Sequence, residues 1–194
     1  MDKAKLRLKL KNCLLNIDEK HRTEKSRLAC KNLIELEQFQ NADTVMIYLS
    51  LPYEIDTSEA ILQCWKSGKT VAVPKISWEQ RHMIPVKINS LDTGFSTTGA
   101  LGLRNPISGI PVPFENIDLV VTPGLGYDRN GNRLGRGGSY YDRFFANSKL
   151  KAFKCGFAYA EQVVDFIPVN DYDEPVDSLV TDNGVMFFNH KKGL

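Results

Sequence analysis

Residues 44–75 read TVMIYLSLPYEIDTSEAILQCWKSGKTVAVPK. Thr44 to Ser50 is apolar on both alternating faces, as a strand buried on its two sides must be. Residues 57–67 carry a helical pattern that starts at Thr57 or Ser58 and stops before Gly68. Lys69 to Lys75 then supplies a second strand. Strand, helix and strand in this order predict an α/β fold built on a mostly parallel sheet. Upstream, the pattern predicts two helices, over residues 2–17 and 19–39, with Asp18 as N-cap of the second. Downstream, IDLVVTP (117–123) is a further buried strand, followed by a glycine-rich loop and a helix from Ser139 to Asn147. AFKCGFAYA (152–160) and the apolar runs near Val180 and Val185 complete the sheet.

Between Asn89 and Asn116 the periodicity dissolves, with four glycines and three prolines, and a long functional loop is expected there. The whole, residues 1–194, reads as one domain. A chain of this length buries roughly 70% of its unfolded surface and needs no disulfide or structural metal to fold. The hydrophobic fraction of 42% excludes a disordered tail or a fibre. No apolar run is long enough to span a bilayer, and MDKAKLRLKLKNCLLN has no signal-peptide core. A soluble, cytoplasmic protein is expected. With a net charge of +2 there is little general attraction for nucleic acid or membrane. Cys13, Cys30, Cys64 and Cys155 are too scattered for a zinc or redox pair and read as packed thiols. His21, His82 and His190 form no local cluster.

The densest chemistry lies in TPGLGYDRNGNRLGRGGSYYDRFF, residues 122–145. Asn130-Gly131 predicts a type I′ turn. Gly135, Gly137 and Gly138 bracket Arg136 just before the predicted helix, where backbone N–H groups and the helix terminus favour an anion. Arg133 and Arg136 add forked donors suited to phosphate. The loop reads as a phosphate cradle, although it matches neither the P-loop nor the dinucleotide fingerprint. Asp142, in the first helical turn, either complements the helix dipole or holds a hard cation with the phosphates. Asp171, Asp173, Glu174 and Asp177 are candidates for a second carboxylate.

Lys3 and Arg7 are unusual. At about 100° per residue, with Lys3 at zero, Arg7 falls near 40°, Leu10 near 340° and Leu14 near 20°. Both cations lie on the apolar stripe, and either snorkel or point into an anion site. Glu54, beyond the strand TVMIYLS, sits where ligands bind in parallel sheets. It is either a solvated loop residue or an acid that hydrogen-bonds a nitrogen heterocycle.

At these residues the chain resembles the 5-formyltetrahydrofolate cyclo-ligase family, also called methenyltetrahydrofolate synthetases. The similarity covers KxxLR (Lys3 to Arg7), YLSLPYEIDT, SGKTVAVPK, His82-Met83, PGLGYDRNGNRLGRGGSYYDRF and PVNDYDEPVDSLVTD. It implies a three-layer α/β fold akin to sugar-phosphate isomerases and CoA transferases. It also implies ATP- and Mg²⁺-dependent conversion of 5-formyltetrahydrofolate to 5,10-methenyltetrahydrofolate, with ADP and phosphate released. By the same resemblance ATP falls to Lys3, Arg7, Arg133, Leu134, Gly135, Arg136, Gly137, Gly138, Ser139, Tyr140 and Tyr141. Folate falls to Leu49, Glu54, Arg136, Gly137, Gly138, Ser139 and Tyr140, and Mg²⁺ to Asp142 and Asp173. Arg136 is the candidate catalytic residue, stabilising charge on the transferred phosphoryl group. The expected partners are these two small molecules, with no nucleic acid or membrane, and the expected state is a monomer.

Three positions depart from the family pattern. Ser139 replaces a frequent glycine and is expected to cap the helix, Asn105 replaces a glutamate, and NDYD replaces HD. Two rival readings are an isomerase or acyl-CoA transferase on the same fold, and a non-catalytic nucleotide- or RNA-binding module. The first needs an acid–base residue or a nucleophilic glutamate beside the cradle. The second needs basic residues and stacking aromatics spread over a face.

Overall fold

The computed structural model describes residues 2–98 and 102–189. His190 lies outside the described residues, as do positions 99–101 of the expected long loop. The first helices are α1 (Lys3–Leu15) and α2 (Glu19–Ile34), each opened by an aspartate. Asp2 accepts from the Lys5 N–H at 2.8 Å and Asp18 from the His21 N–H at 3.0 Å. The second predicted helix is broken. After Glu35 the backbone extends at Leu36, and a separate α3 covers Glu37–Asn41. Geometry explains the break. In an unbroken helix Phe39 would sit about 120° from Leu33, whereas Leu33, Leu36 and Phe39 all reach the core.

The chain continues through β1 (Thr44–Ile47), α4 (Ser58–Lys66), β2 (Thr70–Ser77) and β3 (His82–Lys87). α4 ends in a Schellman motif, with Gly68 at φ +74°. The Gly68 N–H donates to Trp65 O at 3.0 Å and the Lys69 N–H to Cys64 O at 2.9 Å. Then come β4 (Phe95–Thr98), β5 (Leu103–Pro106), β6 (Leu119–Thr122), β7 (Gly126–Asp128) and β8 (Arg133–Leu134). The last elements are α5 (Tyr140–Phe145), β9 (Phe153–Phe157), β10 (Val163–Val164), β11 (Ser178–Thr181) and β12 (Gly184–Phe187).

The main sheet has the order β12-β11-β9-β6-β1-β2-β3. Its five inner strands are parallel, and β12 and β3 close the two edges antiparallel. Alternate side chains feed two cores. Val45, Ile47, Val71, Val73, Leu119 and Val121 pack with α1 to α4 on one face. Met46, Ala72 and Val120 pack with Phe144 and Phe145 of α5 on the other. The result is the expected three-layer α/β architecture, with one face covered more heavily. A small sheet, β10-β7-β8, extends the carboxyl-end side. There Tyr127 is wholly buried, donating to Thr122 O at 2.7 Å. A Cβ on Gly124 or Gly156 would come within 2.9 or 2.6 Å of its ring.

Two expectations need correction. The stretch 89–116 is not structureless. β4 and β5 form an antiparallel hairpin, and residues 110–112 run along β3 through Lys87 N–H to Ile110 O and Val112 N–H to Pro85 O, both at 2.9 Å. The hairpin shows no period because it is tied to β2 through a side chain, with Phe95 packed against the core. Asn105 accepts from the Ile76 N–H at 2.8 Å and donates to Ile76 O at 3.1 Å, standing in for a strand partner. Asn105→Asp loses the donor and sets a charge against that carbonyl, for a cost of about 1–2 kcal/mol. Hydrogen exchange at the Ile76 amide should accelerate roughly ten-fold, and an unchanged rate would show that the hairpin is held elsewhere. The other correction concerns Asn130-Gly131. Only Gly131 has positive φ, at 80°, so the β7–β8 loop is a three-residue connection with a left-handed glycine, not a type I′ turn.

Candidate functional site

Beyond the carboxyl ends of β1 and β6 the chain turns away at Tyr48-Leu49 and Pro123-Gly124, which open the wall of a cavity of about 380 Å³. α1 brings Lys3 and Arg7 to it from the far end of the sequence. Leu6, Leu10 and Leu14 bury the same helical stripe, so the two cations lie on it because it faces the site. Arg7 Nε donates to Gly135 O at 2.9 Å, and Lys3 is paired with Asp173. One end of the cavity is therefore cationic. The other is apolar, with Leu49, Pro74, Ile76 and Met83 on its wall.

The glycine-rich loop is set by the residues before it. Asp128, fully buried, accepts from Asn130 N–H (2.9 Å), Asn132 N–H (3.0 Å), Asn132 Nδ2 (2.9 Å) and Ile167 N–H (3.1 Å). That hub fixes where β8 begins and so where Arg133 stands. Arg133 is almost wholly buried, with Nη2 on Asp142 Oδ1 at 2.8 Å and its guanidinium over the Tyr141 ring at 5.4 Å. Gly137 takes φ +101° with Arg7 beside it.

The helix behind the loop is shorter than predicted. α5 has 6 residues, so its dipole is small and the side-chain cations carry the positive potential. Ser139 does not cap it. Its side chain makes no cap bond, and its backbone is left-handed, φ 50° and ψ 29°. Glycine suits that conformation, which costs other residues about 1–2 kcal/mol. Ser139→Gly should therefore stabilise the protein by about 1 kcal/mol, some 2–4 °C in Tm. A lower Tm in a calorimetric scan would refute this.

Arg136 reaches across the cavity. Its Nη2 donates to Glu54 Oε1 at 2.5 Å and its Nη1 to the Tyr53 hydroxyl at 2.9 Å. Proximity to Glu54 and Tyr53 outweighs desolvation and raises the guanidinium pKa, so it stays charged. Glu54 is buried rather than solvated, and its second oxygen accepts from the Leu51 N–H at 3.0 Å.

The residues assigned to ATP, folate and Mg²⁺ by the resemblance all line this cavity: Lys3, Arg7, Leu49, Glu54, the run from Arg133 to Asp142, and Asp173. Of the four late acids only Asp173 does so. Asp171 is exposed, while Glu174 and Asp177 bond to Lys154. Several wall residues escaped the sequence reading. Trp78 stands edge-on to Tyr140 with ring centroids 5.8 Å apart, and Arg104 comes from the unforeseen β4–β5 hairpin. A large aromatic left 45% exposed at a strand end is the trace Trp78 leaves. Arg104 leaves none.

Asp142 and Asp173 offer hard oxygen donors. Among the described residues, the bonds of Asp142 fall on Oδ1 (Arg133 and the Glu174 N–H) and those of Asp173 on Oδ2 (Lys3 and the Asn170 N–H). Each keeps one oxygen. No cluster of three or more metal-ligating residues occurs among the described residues. That donor set fits Mg²⁺, which binds through one or two carboxylates and completes its shell with phosphate and water.

A sequence model of the 5-formyltetrahydrofolate cyclo-ligase family matches residues 1–182. The chain belongs to the 5-formyltetrahydrofolate cyclo-ligase family. It is 30% identical over 187 residues to the mouse 5-formyltetrahydrofolate cyclo-ligase, covering 92% of each chain. To the Escherichia coli K12 cyclo-ligase it is 31% identical over 147 residues, covering 74% of this chain and 80% of that one. Among solved structures, the 5,10-methenyltetrahydrofolate synthetase of Aquifex aeolicus aligns at TM-score 0.83 and 30% identity, over 100% of this chain and 96% of that one. The Mycoplasma pneumoniae synthetase, at 19% identity and TM-score 0.77, shares the fold. The cyclo-ligase cavity holds no cysteine or histidine on its wall among the described residues. Cys30, Cys64 and Cys155 are buried elsewhere, their thiols pushed up to about 12 by desolvation.

Proposed function

We propose that this cyclo-ligase closes 5-formyltetrahydrofolate to 5,10-methenyltetrahydrofolate, converting ATP to ADP and phosphate. The observation that carries the reading is one cavity with two unlike ends. A cluster of cations faces an apolar wall that carries a single buried carboxylate, so a polyphosphate and a flat N–H-bearing heterocycle fit side by side.

The formyl oxygen is a poor leaving group, so N10 does not close the ring unaided. Transfer of the γ-phosphoryl group to that oxygen breaks the bond to ADP and makes an imidate-like phosphate. The N10 lone pair then attacks the formyl carbon, N10 gives up its proton to water, and phosphate leaves with the C–O bonding pair. The protein's share is alignment and charge neutralisation. Lys3, Arg7 and Arg136 face the polyphosphate, and Glu54 accepts from the heterocycle. Asp142 and Asp173 would hold Mg²⁺, which neutralises phosphate charge when bound. Arg133, spent on Asp142, holds that carboxylate in place.

A CoA-transferase reading asks Glu54 to act as a nucleophile. Both its oxygens are engaged, by Arg136 and the Leu51 N–H, in a position suited to recognition instead. The proposed enzyme works as a single-domain monomer on two small molecules in the cytoplasm. No helix among the described residues is long and apolar enough to cross a membrane. The test is to incubate purified protein with 5-formyltetrahydrofolate, Mg²⁺ and ATP and to follow the methenyl chromophore and ADP together. Matched appearance is the expected result. ADP without chromophore means another phosphoryl acceptor, and neither signal from folded protein rejects the assignment.

A further inference from the structure

We propose that Tyr53 is a positioning residue: it parks Arg136 on Glu54, and folate binding exchanges the guanidinium for its own N–H donors and frees Arg136 for the nucleotide. The inference rests on the cyclo-ligase reading above.

Both forks of Arg136 are engaged on the 53–54 segment. Nη2 lies 2.5 Å from Glu54 Oε1, Nη1 lies 2.9 Å from the Tyr53 hydroxyl, and the guanidinium sits 5.0 Å from the Tyr53 ring centroid. Tyr53 is half-buried and is not one of the residues that line the cavity, so it acts on the site through the arginine. Of the two Glu54 oxygens, Oε2 is held by the Leu51 N–H. Among the described residues Oε1 accepts from Arg136, so the donors of an incoming heterocycle compete there with the guanidinium for the oxygen's lone pairs.

A buried carboxylate does not give up a charged partner without replacement. The Glu54 side chain is 8% exposed, so Arg136 leaves at low cost only when other donors arrive at Oε1 and a phosphoryl group waits for the cation. Each ligand thereby removes part of what the other must break. That makes their binding mutually reinforcing, by the same factor in both directions. It also means that nucleotide alone binds below its intrinsic affinity, because Arg136 is free in only a fraction of molecules.

The experiment is calorimetric binding of the Mg²⁺ complex of a non-hydrolysable ATP analogue to the wild type, Tyr53→Phe and Glu54→Gln, with and without 5-formyltetrahydrofolate. Without folate, Tyr53→Phe should bind the analogue about three-fold tighter than wild type. Folate should tighten the analogue about ten-fold in wild type and less in Tyr53→Phe. A residue with a merely structural role would weaken binding or lower Tm, not improve affinity. Equal or weaker affinity in Tyr53→Phe with an undiminished folate effect overturns the proposal. Should Tyr53→Phe fail to fold, unchanged nucleotide affinity in Glu54→Gln overturns it instead. Failure of the functional reading has a separate signature, the absence of methenyl product from wild type.

Discussion

Arg136→Ala is expected to lower kcat about a thousand-fold while leaving a folded protein. Donors aimed at charge that develops in a transition state are each worth about 10²–10³ in kcat, and arginines that stabilise a moving phosphoryl group 10³ or more. Arg136 extends from the glycine-rich loop across the cavity wall to Glu54. The structural cost is smaller. The variant leaves Glu54 with only the Leu51 N–H, in place of an ion pair whose arginine side chain is 26% exposed. Discounted for that exposure, the loss is about 1–2 kcal/mol. Tm should drop by about 2–8 °C. Arg136→Lys keeps the charge without the fork and should recover no more than about ten-fold. Coupled measurement of ADP and methenyl product, with a melt of each variant, separates the two effects. Turnover within three-fold of wild type would remove Arg136 from the mechanism.

Asp128→Ala should be the most destabilising single change outside the hydrophobic core. Four N–H groups converge on this buried carboxylate, two from its own turn's backbone, one from the Asn132 amide and one from Ile167. Hydrogen bonds to a charged group contribute about 1.5–3 kcal/mol each, but they are not additive, and water entering the gap rescues some donors. The expected loss is about 4 kcal/mol, or roughly 8–16 °C in Tm. Because the hub precedes Arg133, the damage should travel into the site. Nucleotide affinity should fall with stability, even though Asp128 is not on the cavity wall. Asp128→Asn keeps the shape and part of the acceptor capacity and should lose about half as much. A Tm within 2 °C of wild type for the alanine variant would show that the loop is organised by something else.

The fold was legible where burial wrote it into the sequence. Val45, Met46 and Ile47 alternate between two cores, and that produces the unbroken apolar run from which a parallel strand was read. Lys3 and Arg7 were legible for the opposite reason, since cations on a leucine stripe contradict burial unless something anionic faces them. The features that escaped owe their form to hydrogen bonds between distant groups. Asn105 grips Ile76 across 29 positions, and no local period reports that. The Leu36 break depends on where Phe39 must go once α2 is seated. Ser139 looked like a cap by residue type, but the turn before α5 demands a left-handed backbone, and only dihedral angles reveal it. The pairing of Arg136 with Glu54 brings together two residues read separately as phosphate and heterocycle ligands. Their competition for each other needs the third dimension.

The contact between Lys3 and Asp173 joins positions 170 apart. Lys3 is synthesised 170 positions ahead of Asp173, so this contact closes only after β1 to β10 have been made. A chain stopped before Asp173 should carry five strands of the main sheet and lack the Lys3–Asp173 contact.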